Sequence, residues 1–427
     1  MKAVLTTELD PAAAPPTPDA LLSLHRLLDP EVLADPYPLF AALRTQDPVH
    51  WDPFLHAWVV TRYADVVTVL REFSAARTPT PEQLDSMGLA CLDPVAQVMV
   101  KQMLFLDPPA HGRIRSLAAC AFTPQRVAAL RDRITQLTNE LLDAAEDRGS
   151  MEVMQDLAEP LPAIVTSELL GLPIEFHRQI KSWSADFAEM LGNFQHNPDR
   201  VPKMLAAVEN LAAFFRQVMR EHAEHPREGL VGSMMSAEVE GDRLSEDEVV
   251  ANAIITLVGG LETTTNLIGN GILTLLRHPD QLQRLQQDPS LIASAVEELL
   301  RFESPSQHTA RLAPADVTLG GKLIRERQAV IAVMAAGNRD PERFPEPDRL
   351  DLSRQDNRHL AFGWASHFCF GAPLARLEGQ IVLGSVVSRF PKLALAPAPI
   401  VWRCNLGLRG LTKLRVGLDG PADSVAA

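Results

Sequence analysis

The run that begins at Ser245 and ends at Pro279 constrains the fold of this chain more than any other stretch. Ser245 followed three residues later by Glu248 is a capping box, in which each residue's side chain satisfies the other's backbone N–H and starts a helix. Apolar residues then recur through Ile254, Leu257, Leu267, Ile272 and Leu276 until Pro279 stops the run. At about 1.5 Å per residue such a helix spans on the order of 45 Å, the width of a whole domain. It is apolar on nearly every side, so it should be buried. Most of the chain after residue 100 also reads as helices, punctuated by Pro, Gly and Asp. Strand-like runs are few and short, at 57–61, 329–333 and 414–416. The expected architecture is mainly α with small β-sheets.

Inside the long helix lies Gly259-Gly260-Leu261-Glu262-Thr263-Thr264-Thr265. A glycine in a helix interior costs about 1 kcal/mol relative to alanine, so something should compensate, such as a flat ligand lying against bare backbone. Thr263 can bond back to the carbonyl of Gly259, four residues earlier, which bends a helix or opens its ladder. Helix packing through small residues, with Glu262 in a polar pocket, accounts for the same letters.

A second segment, FGWASHFCFGAPLARLEG, places Cys369 between Phe362-Gly363 and Gly371, two residues after His367 and just before an apolar helix. Unpaired N–H groups at that helix start would stabilise a thiolate, which suits an electron-deficient metal. A cysteine among aromatic residues also reads as a small core hydrophobe. Zinc held by His367 and Cys369 is a third reading. It is weakened by the dispersion of Cys91, Cys120 and Cys404 and by the absence of a CxxC pair.

Composition narrows the class. A chain of 427 residues that is 46% hydrophobic can bury a large core, and no internal linker divides it. Residues 1–20 are rich in Pro, Ala and Thr and read as a disordered tail, which leaves 21–427 as one domain. No stretch has the roughly 18 continuous apolar residues of a membrane span, and no signal peptide is evident. Together with four scattered cysteines this points to a soluble, cytoplasmic protein. A net charge of −14 opposes nucleic-acid binding.

The Cys369 segment resembles the haem-ligand loop of the cytochrome P-450 superfamily, whose pattern is Phe-Gly-x-Gly-x-His-x-Cys-x-Gly. Phe362, Gly363, His367, Cys369 and Gly371 match it, and Leu374-Ala375-Arg376 and Glu378 continue the match. Ala365 departs, standing where the second glycine is expected; at positive φ it stores strain of order 1 kcal/mol. Gly259-Gly260-x-Glu262-Thr263 resembles the family's oxygen-activation motif. The similarity runs from about residue 35 to residue 416.

The resemblance implies haem b (iron protoporphyrin IX) with Cys369 as axial thiolate, packed against Gly259 and Gly260, with Phe362 and Gly371 framing the loop. It implies His111, Arg115, Arg311 and His367 as donors to the haem propionates. Glu298 and Arg301, three apart on one helix face, would by themselves be surface decoration. In the family such a pair is buried behind the haem, with a partner segment matched here by Asn338-Arg339-Asp340-Pro341 and Phe344-Pro345. By position in the family, Met87, Leu89, Leu92, Phe187, Met190, Ile255, Val258 and Leu408 wall the substrate pocket, with Gln307, His308 and Thr309 as polar contacts. Residues 74–100 and 190–202 read as irregular loops.

The implied reaction is hydroxylation or epoxidation of a lipophilic small molecule with O₂, Thr263 and Glu262 relaying protons. Electrons would come from a separate ferredoxin and ferredoxin reductase, docking near a basic cluster that includes Arg113, Arg126 and Arg376. A peroxide-driven enzyme on the same fold and a non-catalytic haem protein that senses a gas or ligand are the rival readings.

Overall fold

The computed structural model describes residues 22–192 and 200–420. The proposed tail, residues 1–20, lies outside them. Helices that build the site are α1 (Ala110–Ala121), α2 (Pro160–Leu170), α3 (His177–Gly192), α4 (Val201–Glu224), α5 (Glu246–Arg277), α6 (Ile292–Phe302) and α7 (Ala372–Arg389). The run recognised in the sequence is α5, continuous over 32 residues and opened by the Ser245 and Glu248 capping box. Both halves of that box form, Ser245 Oγ accepting from the Glu248 N–H and Glu248 accepting from the Ser245 N–H at 2.8 Å.

Burial of α5 follows from its composition. Ile254 and Leu257 are fully buried, and α2, α3, α4, α6 and α7 all pack on it. Each fully buried Leu or Ile contributes about 1.5–3 kcal/mol relative to exposure. Helix α7 comes especially close to α5. A Cβ on Gly379 would lie 3.0 Å from Leu267 Cδ2, and one on Gly271 would lie 3.2 Å from Leu383 Cδ1.

The main sheet contains β1 (Val49–Asp52), β2 (Ala57–Val60), β3 (Thr309–Leu312) and β4 (Ala329–Ala332), in spatial order β1-β2-β4-β3. Strands β2 and β4 run parallel, Trp58 opposite Val330, while β3 is antiparallel to β4 with Arg311 opposite Val330. As an inner strand, β4 is apolar throughout. A smaller sheet joins 150–152, 394–395 and 415–417, the last strand lying one residue beyond the run read at 414–416. Within 74–100, read from sequence as loop, two short helices form at Pro81–Ser86 and Asp93–Met99. Each is too short to show a hydrophobic period, but each has proline in its first turn, and Thr80 and Gln83 form a capping box.

Glu298 and Arg301 on α6 are entirely buried and paired through two hydrogen bonds of 2.8 Å. The remaining donors of Arg301 go to the carbonyls of Asn338 and Pro347 at 2.8 Å and of Arg349 at 3.2 Å. Glu298 also accepts from the Asp351 N–H at 3.0 Å, from Arg354 and from Asn357. Nearly every lone pair and proton is met, the condition for tolerating two charges inside a protein. We expect Arg301→Ala to lower stability by about 3–5 kcal/mol, because it removes the fully buried cation paired with Glu298, leaving that carboxylate to Arg354 and neutral donors, and empties five hydrogen-bond positions at once. Chemical denaturation checks this; a loss under about 1 kcal/mol, as for a surface pair, would contradict it.

Candidate active site

Between α5 and the segment leading into α7 lies a cavity of about 570 Å³, mostly apolar and lined by Cys369 on one side and by Gly259, Gly260 and Thr263 on the other. The cysteine loop is held by its own backbone. The Cys369 N–H donates to the Phe362 carbonyl at 2.7 Å, and the Phe368 N–H to that of Ala365 at 3.0 Å. The turn requires left-handed backbone at Gly363, with φ of 71°, and again at Ala365, with φ of 56°. Burial pushes the Cys369 thiol up, while N–H groups of Gly371 and Ala372 and the charges of Arg115 and Arg376 pull the other way. The helix start thus aids the thiolate but does not outweigh desolvation. Among the described residues no group of three or more His, Cys, Asp or Glu side chains is disposed to hold an ion, which counts against the zinc reading.

Across the cavity the two glycines have separate reasons. A Cβ on Gly259 would have nothing within 4 Å, so its bare backbone faces open space; one on Gly260 would lie 2.7 Å from Thr166 Oγ1. Helix packing accounts for the second glycine, and the first leaves room for a flat group against its backbone. The Thr263 hydroxyl donates to the Gly259 carbonyl at 2.7 Å, and α5 stays helical through it. Glu262 is buried behind the wall in an ion pair with Arg403, outside the cavity lining.

At one end of the cavity His111, Arg115, Arg311 and His367 converge from three segments distant in sequence. The two imidazoles lie 4.1 Å apart, centroid to centroid. Burial, with Arg311 and His111 beside it, holds His367 down at about 3, and burial also lowers His111, so both rings are neutral N–H donors near pH 7. Asp107, the acid beside them, already accepts from Ser74 Oγ at 2.5 Å and the Ala75 N–H at 2.8 Å. His111 Nε2 and Arg311 Nε are buried with no hydrogen-bond partner among the described residues. Such a set fits a cofactor that carries two carboxylates and takes sulfur as a ligand. It would hold haem through Cys369, with the propionates among these donors.

Of the residues expected in the substrate pocket, Ile255, Val258, His308, Thr309 and Leu408 line the cavity. Met87, Leu89, Leu92, Phe187 and Gln307 do not. Met87 is 54% exposed at the end of a short helix that turns it outward. Phe187 is fully buried in the core between helices, and the Gln307 amide donates to the Ser304 carbonyl. The side chain of Met190 lies outside the described residues. Sequence reasoning missed Arg77, Phe105, Thr166 and Met334, which line the cavity from four further segments, and Arg403, which pairs with Glu262. No local pattern marks them. The expected basic cluster is largely neutralised, Arg113 being bound to Asp242 and Glu248 and Arg376 to Glu297.

Two consequences are testable. At φ of 56° a Cβ is strained, so Ala365→Gly should raise stability by about 0.5–1 kcal/mol, less the entropy that glycine gains in the unfolded chain. Denaturant midpoints measure this, and a clear loss would mean that the alanine methyl is packed. Glu378, on the cavity wall, is buried with neither carboxyl oxygen bonded among the described residues, and desolvation raises it from 4.5 to about 8. The unfolded chain ionises above 4.5 while the native acid stays protonated, so this group erodes stability as pH rises from 4.5 through 8. Glu378→Gln should therefore raise the thermal midpoint more at pH 8 than at pH 5; an equal shift at both would remove the argument.

Comparison with known proteins agrees with this geometry. The family profile described as Cytochrome P450 matches residues 93–397. A vitamin D(3) 25-hydroxylase of Pseudonocardia autotrophica is 38% identical over 406 residues, 93% of this chain and 97% of its own length. A 6-deoxyerythronolide B hydroxylase of Saccharopolyspora erythraea is 36% identical over 396 residues, covering 90% and 96%. Among solved structures, P450BioI in complex with acyl carrier protein ligated to hexadec-9Z-enoic acid superposes with a TM-score of 0.86 at 35% identity, covering 91% of this chain and 99% of that one. No helix among the described residues is long and apolar enough to cross a membrane. With a lone cysteine facing a helix across an apolar slot that ends in cationic donors, the chain belongs to the cytochrome P450 family, the haem-thiolate monooxygenases.

Proposed function

We propose that this chain hydroxylates or epoxidises a lipophilic small molecule, with haem b held by Cys369 and electrons supplied in the cytoplasm by a separate ferredoxin and its reductase. One observation carries the reading: Cys369 and Thr263 line the same mostly apolar cavity. The relatives named for hydroxylating vitamin D(3) and 6-deoxyerythronolide B, and the one seen with a fatty-acyl carrier protein, support a substrate that is lipophilic. Turnover with reduced ferredoxin, set against turnover with hydrogen peroxide, tests the electron source.

When bound, haem supplies the activation of O₂ and the insertion of one oxygen atom. The protein supplies placement and protons. Side chains such as Met99, Met103, Leu169, Ile255, Val258 and Leu408 exclude water and hold the substrate. Thr263 Oγ1 gives its proton to the Gly259 carbonyl at 2.7 Å. Turning that O–H toward the cavity delivers a proton without moving the backbone. Glu262 resupplies it by taking a proton from solvent and passing it on, exchanging its contact with Arg403 for one toward Thr263.

Thr263→Ala should still bind substrate and accept electrons but release hydrogen peroxide, product per reductant falling about tenfold or more. Glu262→Gln should instead slow oxygen consumption, by about a hundredfold, because an amide relays no proton. Reductant used, peroxide released and product formed are measured together. Wild-type coupling in Thr263→Ala would reduce that residue to a helix-packing role.

A further inference from the structure

Three guanidinium groups line the cavity, those of Arg77, Arg115 and Arg311, while the cofactor proposed for it brings two carboxylates. His111 and His367 also line the cavity. Arg311 has the Asp107 carboxylate beside it as well, whereas no carboxylate acts on Arg77 among the described residues.

The position of Arg77 is built rather than incidental. Ser74 and Leu312 exchange backbone hydrogen bonds of 2.9 Å, which fastens the segment carrying Arg77 to the end of β3 beside Arg311. Asp107 clamps the same segment through Ser74 and Ala75. The Arg77 guanidinium stacks 4.5 Å from the Phe105 ring centroid, and its one hydrogen bond among the described residues runs to the Ala75 carbonyl at 3.2 Å. No acidic side chain among the described residues offsets it; burial and the Arg311 charge together push it down to about 9. Next to it Thr78 Oγ1 is buried with no hydrogen-bond partner among the described residues, and Thr78 also lines the cavity. A half-buried guanidinium without a carboxylate partner is costly, and so is a buried unbonded hydroxyl. Both deficits vanish if the cavity receives an anion here. A single guanidinium calls for a monoanion, and the planar fork of arginine fits a carboxylate.

We propose that Arg77, with Thr78 beside it, is a carboxylate-binding site that anchors the acid end of a long apolar substrate. This rests on the monooxygenase reading above and narrows its substrate class to lipophilic acids. An acid fixed at one end presents to the reacting centre a carbon set by its distance from the carboxylate. Chain length then governs which position is oxidised.

The test uses the haem-loaded enzyme, first confirmed by the thiolate-type spectrum of its ferrous carbon monoxide complex. Dodecanoic, tetradecanoic and hexadecanoic acids and their methyl esters are titrated while the Soret band is followed. Haem transfer to apomyoglobin is timed in parallel. Wild type should prefer acids to esters by about tenfold or more, the worth of a charge-assisted hydrogen bond. Arg77→Met should weaken the acids by that factor and leave the esters within about twofold, and Arg77→Lys should recover part of the loss. Haem transfer should be unchanged. Faster haem transfer from Arg77→Met, with acids and esters weakened alike, would assign the side chain to a propionate and overturn the proposal. Wild type that binds acids no better than esters, or binds neither, would overturn it while leaving the monooxygenase reading intact. Failure of that reading is separate, because wild type would then lack the thiolate spectrum. Should Arg77→Met not take up haem, the wild-type preference and Arg77→Lys decide.

Discussion

The buried pair of Glu298 and Arg301 is the joint from which the cofactor side of the molecule hangs. Arg301 holds the Asn338 carbonyl, and the Asn338 side chain holds both Ser304 Oγ and the N–H of Leu360. Two residues after Leu360, the Phe362 carbonyl receives the N–H of Cys369. A short chain of bonds thus runs from an ion pair on α6 to the backbone of the sulfur's own residue. Glu298 meanwhile gathers Asp351, Arg354 and Asn357 from the intervening segment. That segment has little regular structure, so side-chain hydrogen bonds do there what a helix or strand ladder does elsewhere.

Electrostatics in the cavity pulls two ways. Desolvation disfavours the Cys369 thiolate and a bound metal has to repay it. Close by, Arg115 and Arg311 crowd together with His111 and His367, and the Asp107 carboxylate beside them accepts from backbone and serine. The folded chain tolerates this because the stress is relieved by what enters the cavity, so ligand uptake and stability are linked. The acid Glu262 is kept behind the wall by Arg403, which prevents it from simply neutralising the cationic groups.

Legibility in the sequence followed the range of each signal. The long helix, its capping box and its stop are local, and α5 forms within the expected limits. The cysteine loop is local too, and even the misfit of Ala365 showed in the letters, since the structure puts a non-glycine at positive φ there. Pocket residues were harder. Ile255 and Val258, expected by position in the family, line the cavity from the long helix that carries Gly259. Met87, Leu89 and Leu92 were misplaced because position alone says nothing of where a short helix points its side chains. Strands β1 and β3 were overlooked because four residues with mixed burial show no alternation. Arg77, Arg403 and the isolation of Glu378 depend on contacts between distant segments, which leave no mark in a single chain read in order.

The close approach of α5 and α7 has a mechanical meaning. They touch where Leu267 meets Gly379 and where Leu383 meets Gly271, and from there toward Gly259 and Cys369 they border open space. Two missing methyl groups set how near the helices come there: one added at either glycine would press on the end of a leucine side chain, which would have to give by a few tenths of an ångström. The spacing at the closed end of the slot is thereby written in glycines outside its lining.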